Sequence, residues 1–245
     1  MTQILRFNWP WYVAAASVML AFVLPPRLPR MPAFLPILCY VSAACALFWT
    51  AAALLVSHWI YDLSPLRQWK WILEEFRNQP TTIANIHAGF DESTNSLKSL
   101  FPGSALQVWD IYDPAVMSQR SIDRARQVKT AATRAARVEL SSLPAARETL
   151  DAAFVIFAAH EIRSSGAREQ FFLEVHRILK PGGGVLLVEH LRDWKNFLAF
   201  GPGFFHFLPR REWLRLASRA GFCVTRNFTI TPFVKILVLT KSIQL

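Results

Sequence analysis

Apolar and polar positions divide this chain near residue 62. Twenty consecutive residues between Arg6 and Arg27 carry no charge, and neither do the thirty-one between Arg30 and Asp62. Inside these runs Trp11–Leu24 and Ala33–Ile60 show no polar face at helical spacing, so each reads as a helix that is apolar all round. At 1.5 Å per residue the longer run reaches roughly 40 Å, enough to cross a hydrocarbon core of about 30 Å. The shorter one is near the lower limit. The connector Pro25-Pro26-Arg27-Leu28-Pro29-Arg30 breaks any helix between them. The expectation is a transmembrane helical hairpin over 1–62, with spans at about 9–26 and 33–60. Trp9, Trp11, Tyr12, Trp49, Trp59 and Tyr61 lie towards the ends of the runs, where interfacial aromatics belong. A cleaved signal peptide fits less well, because Arg6 alone would charge its start and no A-x-A site precedes the prolines.

Beyond Asp62 the period changes. Leu66, Trp69, Ile72, Leu73 and Phe76 share one helical face, which predicts an amphipathic linker helix over 63–80 that begins at Ser64 with Pro65 in its first turn. That face rests either on headgroups, through Trp69 and Trp71, or on the edge of a sheet. From 81 to 245 short apolar runs alternate with helical patterns: Thr81–His87 reads as a strand, Ser93–Leu100 as a helix, and Leu106–Trp109 as a strand ending at Asp110. Asp113-Pro114 opens a further helix of about a dozen residues, and Arg137–Leu140 is a weak strand. The clearest unit is strand Ala152–Ala159, helix Ala167–Leu179, the helix stop Lys180-Pro181-Gly182-Gly183-Gly184, and strand Val185–Val188. Pro209–Ala220 reads as a helix, and Phe222–Ile230 with Phe233–Thr240 as a closing strand pair.

Charge sharpens this picture. Lys and Arg number 27 against 17 Asp and Glu, a surplus of +10, and residues 1–62 hold only Arg6, Arg27, Arg30 and Asp62, so +8 falls on the remainder. Arg120, Arg124, Arg126, Lys129, Arg134 and Arg137 follow one another with Asp123 as the sole acid among them. Beside a bilayer such a face suits anionic headgroups. Nucleic acid is not favoured, since no stacking aromatics interleave. Cys39, Cys45 and Cys223 have neither metal-ligand spacing nor an even count for a disulfide framework.

Leu179-Lys180-Pro181-Gly182-Gly183 before an apolar strand ending in Glu189, together with His160-Glu161 after the preceding strand, resembles the fourth and fifth strands of class I SAM-dependent methyltransferases. The resemblance covers about Thr81 to Lys241. It implies an α/β, Rossmann-like seven-stranded sheet with helices on both faces, and S-adenosyl-L-methionine as cofactor. In that family an acidic-x-Gly-x-Gly-x-Gly turn follows the first strand, and an acid ends the second. Here the turn is Asn85-Ile86-His87-Ala88-Gly89-Phe90-Asp91: Gly89 survives, His87 and Asp91 take the other glycine positions, and Asn85 stands for the acid. The resemblance implies cofactor contacts at Asn85, His87, Gly89, Asp110 and Ile111. Ser141-Ser142-Leu143-Pro144 is similar to the family's adenine-side turn, which adds Ser142.

The carboxyl edge of the sheet also holds the candidate chemistry. His160 offers a general base near neutral pH and Glu161 a carboxylate to orient it, with His190 as a further acid–base group. The pairs His160-Glu161 and Glu189-His190 are also ordinary donors for a divalent ion, although no metal is assigned. Trp194–Leu208 is densely aromatic around Gly201-Pro202-Gly203, so Glu189, Phe204, Phe205 and His206 are expected to meet the acceptor. The whole pattern leads to a membrane-anchored methyltransferase with two spans, its domain on the cytoplasmic side, acting on a quinone, isoprenoid or phospholipid headgroup. The missing glycines keep open an inactive membrane subunit with a binding or assembly role. The eroded loop with His160-Glu161 also resembles the rhodoquinone-biosynthesis branch, which implies SAM-dependent amino transfer to a quinone.

Overall fold

The computed structural model describes residues 2–23, 32, 34–76, 78–115, 117 and 135–243. The end of the first expected span, the proline connector, the helix expected after Asp113 beyond residue 117, and basic residues 120, 124, 126, 129 and 134 fall outside these residues.

Short runs too brief for helices become strands, buried on both faces at the centre of the sheet and largely exposed at its edges. These are β1 (Thr82–His87), β2 (Ala105–Asp110), β3 (Ala136–Arg137), β4 (Leu150–Ile156), β5 (Leu179–His190), β6 (Phe222–Thr231) and β7 (Val234–Lys241). They form one sheet in the order β3-β2-β1-β4-β5-β7-β6. Only β7 runs against the others. The expected seven-stranded sheet is present. Side chains alternate between its faces: Ala84, Ala153, Val185 and Leu237 enter one core, while Ile83, Phe154, Leu186 and Ile236 enter the other.

On the first face lie α5 (Ser165–Ile178), through Phe171, Phe172, Val175 and Ile178, and α7 (Arg210–Arg219), through Trp213 and Leu216. The second face is covered by Leu97 of α4 (Thr94–Leu100) and by Ile60, Leu66 and Ile72. Ile60, Leu66 and Ile72 therefore pack into the core of the α/β unit, while Leu63, Arg67 and Lys70 stay exposed. Residues 60–76 do not form one amphipathic helix. A 3-10 turn, Pro65–Gln68, capped by Ser64 Oγ, ends at Trp69 with φ 56°, and only the short α3 (Ile72–Glu75) follows. After that break Ile72 is buried in one cluster with Ile83 and Phe154.

Lys180–Gly184 also differs from the expected helix stop. α5 ends one residue earlier, with Leu179 extended and its N–H bonded to Val175 O. The glycines lie inside β5, where the pairing jumps from Leu150↔Leu179 to Ala152↔Gly184. A Cβ on Gly183 would come within 2.8 Å of Lys180 O and 3.1 Å of Asp151 O, so this bulge needs glycine. Asp151 fixes it from the other side, accepting from Lys180 Nζ at 2.7 Å and from the amides of Thr81 and Thr82.

α1 (Thr2–Val23) and α2 (Phe34–His58) precede the sheet and pack on each other. Among the described residues, only the helix continuing from Phe34 is long and apolar enough to cross a bilayer. The apolar part of α1, Tyr12–Phe22, is shorter, so a second span is not established. Phe34, Ile37, Leu38, Leu47, Phe48 and Leu55 of α2 point outward.

The far end of α2 is locked to the sheet. Trp49 packs edge-on against Phe197 of α6 (Trp194–Phe200) at 5.4 Å. Gly201, with φ 53°, brings its backbone so close that an added Cβ would sit 2.7 Å from Trp49 Cγ. Gly201→Ala is therefore expected to cost about 1–3 kcal/mol through strain and overpacking. Pairing it with Trp49→Ala should recover part of that loss, because the ring clash disappears and the φ strain remains. Equal melting points for wild type and Gly201→Ala in detergent would show that α2 is not docked here.

Candidate functional site

Strand order reverses between β1 and β4, which opens a crevice at the carboxyl ends of the strands. One half of the site lies at the ends of β1 and β2. Asp110, the last residue of β2, accepts the Gly89 amide at 2.8 Å and the Tyr112 amide at 3.0 Å through Oδ1. Gly89 holds φ 81°, a conformation suited to glycine. His87 is buried, with Nδ1 3.8 Å from Asp110 Oδ1, so its ring leans on that carboxylate. Beside Asp110 opens a cleft of about 610 Å³, lined by Ile111, Tyr112, Val138, Leu140 and Ser141 among others.

The departures from a glycine-rich turn are satisfied locally. Asp91 Oδ1 accepts the amides of Ser93 at 3.1 Å and Thr94 at 3.0 Å, which makes it the cap at the start of α4. Asn85 is fully buried, donating to Thr94 Oγ1 at 2.7 Å and Asp91 Oδ1 at 3.2 Å and accepting from Ser93 Oγ at 3.0 Å. Asn85 thus ties the loop to α4 and has no ligand-facing atom, contrary to the cofactor contact expected of it. Ser142 pairs with Glu139 in an isolated bridge, and its neighbour Ser141 lines the cleft instead.

The other half lies at the ends of β4 and β5, two and three strand spacings from the strand of Asp110, or about 10–14 Å. A 3-10 turn, Ala159–Glu161, buries His160 and Glu161. His160 Nδ1 lies 2.6 Å from Glu189 Oε2, and its amide donates to Glu189 Oε1 at 3.2 Å. His160 Nε2 is 3.3 Å from Glu161 Oε1. His206 Nε2 reaches the same oxygen at 3.5 Å, and the two imidazoles meet edge-on at 4.9 Å. Burial alone would push the His160 pKa down, but the carboxylates of Glu189 and Glu161 outweigh it and hold the value up to about 10. Burial likewise opposes the charge on Glu161, yet the His160 and His206 contacts hold its pKa below the usual carboxylate range. The two carboxylates favour the protonated ring and face both of its nitrogens, so His160 is held between Glu189 and Glu161 rather than standing free as the general base expected of it.

Two further expectations change here. Glu189, 1% exposed, sits beneath His160 and cannot meet an acceptor. His190 is pushed down to about 4, first by burial and also by the His160 charge. The neutral ring has both nitrogens engaged, Nδ1 with Phe233 O at 2.9 Å and Nε2 with the Tyr61 hydroxyl at 2.7 Å. His190 anchors the end of α2 to the sheet and is not an acid–base group. Phe204 packs on Phe197 at 5.1 Å, while Phe205 is 61% exposed with Arg192 over its ring at 5.9 Å.

Three contributors carried no signal of this role in the sequence. Tyr61 reads as an interfacial aromatic, yet it bonds a histidine 129 positions away. Phe157 closes β4 at φ 50°, a strained conformation for an aromatic residue, and stacks on His190 at 5.1 Å. Arg163 Nη1 donates to the carbonyls of His206 at 2.8 Å and His160 at 3.3 Å, tying the two turns together. A rule pairing His-Glu with a basic residue two positions on would have flagged Arg163, but no local pattern reports the other two.

Residues 90–187 match the family model described as a methyltransferase domain, so the match begins just after Gly89. No curated protein matches the chain by sequence. A SAM-dependent methyltransferase from Aquifex aeolicus is similar in structure, with a TM-score of 0.55 and 16% identity, covering 78% of this chain and 97% of that one. The N-methyltransferase NodS from Bradyrhizobium japonicum, solved with S-adenosyl-L-homocysteine, gives 0.51 and 13% over 75% of this chain and 91% of that one. The 1,6-didemethyltoxoflavin-N1-methyltransferase of Burkholderia thailandensis gives 0.50 and 16%, covering 89% and 94%. At these identities the likeness establishes the fold.

Proposed function

We infer that the chain is an S-adenosyl-L-methionine-dependent methyltransferase, held at a membrane by α2 and acting on a hydrophobic or lipid-linked acceptor. The observation that carries this reading is Asp110, fixed at the carboxyl end of β2 with the Gly89 amide on its Oδ1, beside a cleft of about 610 Å³. The residues present fit the cofactor at its nucleoside end. Asp110 would hold the ribose, and Ile111, Tyr112 and Val138 would enclose the base. Gly89 lets the backbone approach, and Asp91 turns towards α4 rather than into the space.

The cofactor supplies a methyl group already activated on sulfonium, so the protein has chiefly to align acceptor and donor and keep water out. Glu161 and His206 stand at the edge where that acceptor would lie. Access from a bilayer is supported by the exposed apolar face of α2 and by Trp194, Leu198 and Phe205 beside it, with Arg67, Lys70 and Lys195 available to headgroups. The α/β unit then lies on the cytoplasmic side, where the cofactor is made.

Membranes from cells expressing the chain, incubated with methyl-labelled cofactor, are expected to pass label into an organic extract. Membranes carrying Asp110→Ala should not. Label confined to the aqueous phase would overturn the lipophilic acceptor, and cofactor binding without transfer of label would overturn catalysis.

A further inference from the structure

We propose that His160, Glu161 and His206 form a binding site for a borderline divalent metal ion such as Zn²⁺, Mn²⁺, Fe²⁺ or Co²⁺, with Glu189 orienting the first ligand. Two imidazoles and one carboxylate are the donor set such ions prefer, and three protein ligands leave coordination positions open. The three ligand atoms all lie within 4.8 Å of one another. With metal–ligand bonds of about 2.1 Å, donor atoms stand about 3.0–3.4 Å apart at tetrahedral to octahedral angles. His160 Nε2 to Glu161 Oε1, at 3.3 Å, and His206 Nε2 to the same oxygen, at 3.5 Å, are already near that spacing. Only the two histidine nitrogens need to draw together.

Two independent features point to an ion. Glu189 Oε2, 2.6 Å from His160 Nδ1, keeps the proton on Nδ1 and turns Nε2 towards the cluster, where a metal ion would displace the Nε2 proton, the outer-shell arrangement of metal-bound histidines. Glu161 Oε2 is buried with no hydrogen-bond partner, a costly state for a carboxylate oxygen unless a cation meets it. Arg163 Nη1 lies 3.2 Å from His206 Nδ1, a nitrogen that must carry the proton once Nε2 binds a metal. That contact gives way on binding, while the bonds to the carbonyls of His206 and His160 keep Arg163 in place.

The inference does not depend on methyl transfer, so it is tested without the cofactor. Untagged full-length protein in detergent, stripped with chelator, is titrated with Co²⁺ and followed by its visible absorption, then challenged with Zn²⁺. One equivalent is expected to bind and to be displaced by Zn²⁺. Glu161→Gln and His206→Gln should each weaken binding on the order of 100-fold, and Glu189→Gln by about 10–100-fold. His176→Gln, away from the cluster, should bind as wild type does. Absence of saturable binding at about 1 mM Co²⁺, or unchanged binding by correctly folded Glu161→Gln, would overturn the site.

Discussion

Glu189→Ala is expected to lower the melting temperature of the chelator-treated protein by on the order of 10 °C. The carboxylate is 1% exposed and bonds both Nδ1 and the amide of His160. Deleting Glu189 leaves the buried Nδ1 and amide of His160 without their partner, with Glu161 alone to balance the ring, which costs about 3 kcal/mol. In a domain this large each kcal/mol moves the midpoint by about 2–4 °C. The effect has a defined pH dependence. The fold raises the His160 pKa, so this stabilisation is complete below the ordinary value of 6.5 and fades as pH rises through about 10. The gap between wild type and Glu189→Ala should therefore be widest near pH 6 and narrow above pH 10. Glu189→Gln, which keeps an acceptor oxygen, should fall between them. A variant melting within 2 °C of wild type at pH 6 would show that the pair does not hold the two strand ends together.

The second large effect concerns Asp110. Alanine there removes the carboxylate that orients the amides of Gly89 and Tyr112, and with it the group assigned to the ribose. Hydrogen bonds to charged groups contribute about 1.5–3 kcal/mol each, so losing two of the contacts that depend on Asp110 should weaken S-adenosyl-L-homocysteine by on the order of 100- to 10,000-fold. Asp110→Asn retains an acceptor at Oδ1 and should lose less. Asp110 is itself only 8% exposed, so the melting temperature should fall as well, and binding is read on protein that still melts cooperatively.

Much of the sheet is legible in the chain because strands buried on both faces need apolar runs, and Ala152–Ile156, Val185–Val188 and Ile236–Leu239 are such runs. Asp110 at the end of β2, His160 beyond β4 and Glu189 in β5 are gathered by the topology at one edge. What was not legible depends on contacts distant in sequence. His190 looks like an acid–base residue until Tyr61 arrives from the end of α2 and takes its second nitrogen. Glu189 looks like a substrate contact until His160 closes over it. The glycines after Leu179 resemble a helix stop, yet the Asp151 carbonyl beside Gly183 shows that they serve a bulge. His206 is legible in the sequence as an acceptor contact in an aromatic segment, but not as a partner of Glu161. Its partnership with Glu161 follows from the 3-10 turn Gly201–His206, which folds that segment back over β4.

The central claim is that a nucleoside-binding crevice persists beside Asp110 although only one glycine of the loop remains. Calorimetric titration of the full chain in detergent with S-adenosyl-L-homocysteine tests it most directly. The expected result is saturable binding at one site per chain, competed by S-adenosyl-L-methionine and weakened by Asp110→Ala. Absence of saturable heat at about 1 mM ligand, from protein that still melts cooperatively, would contradict it.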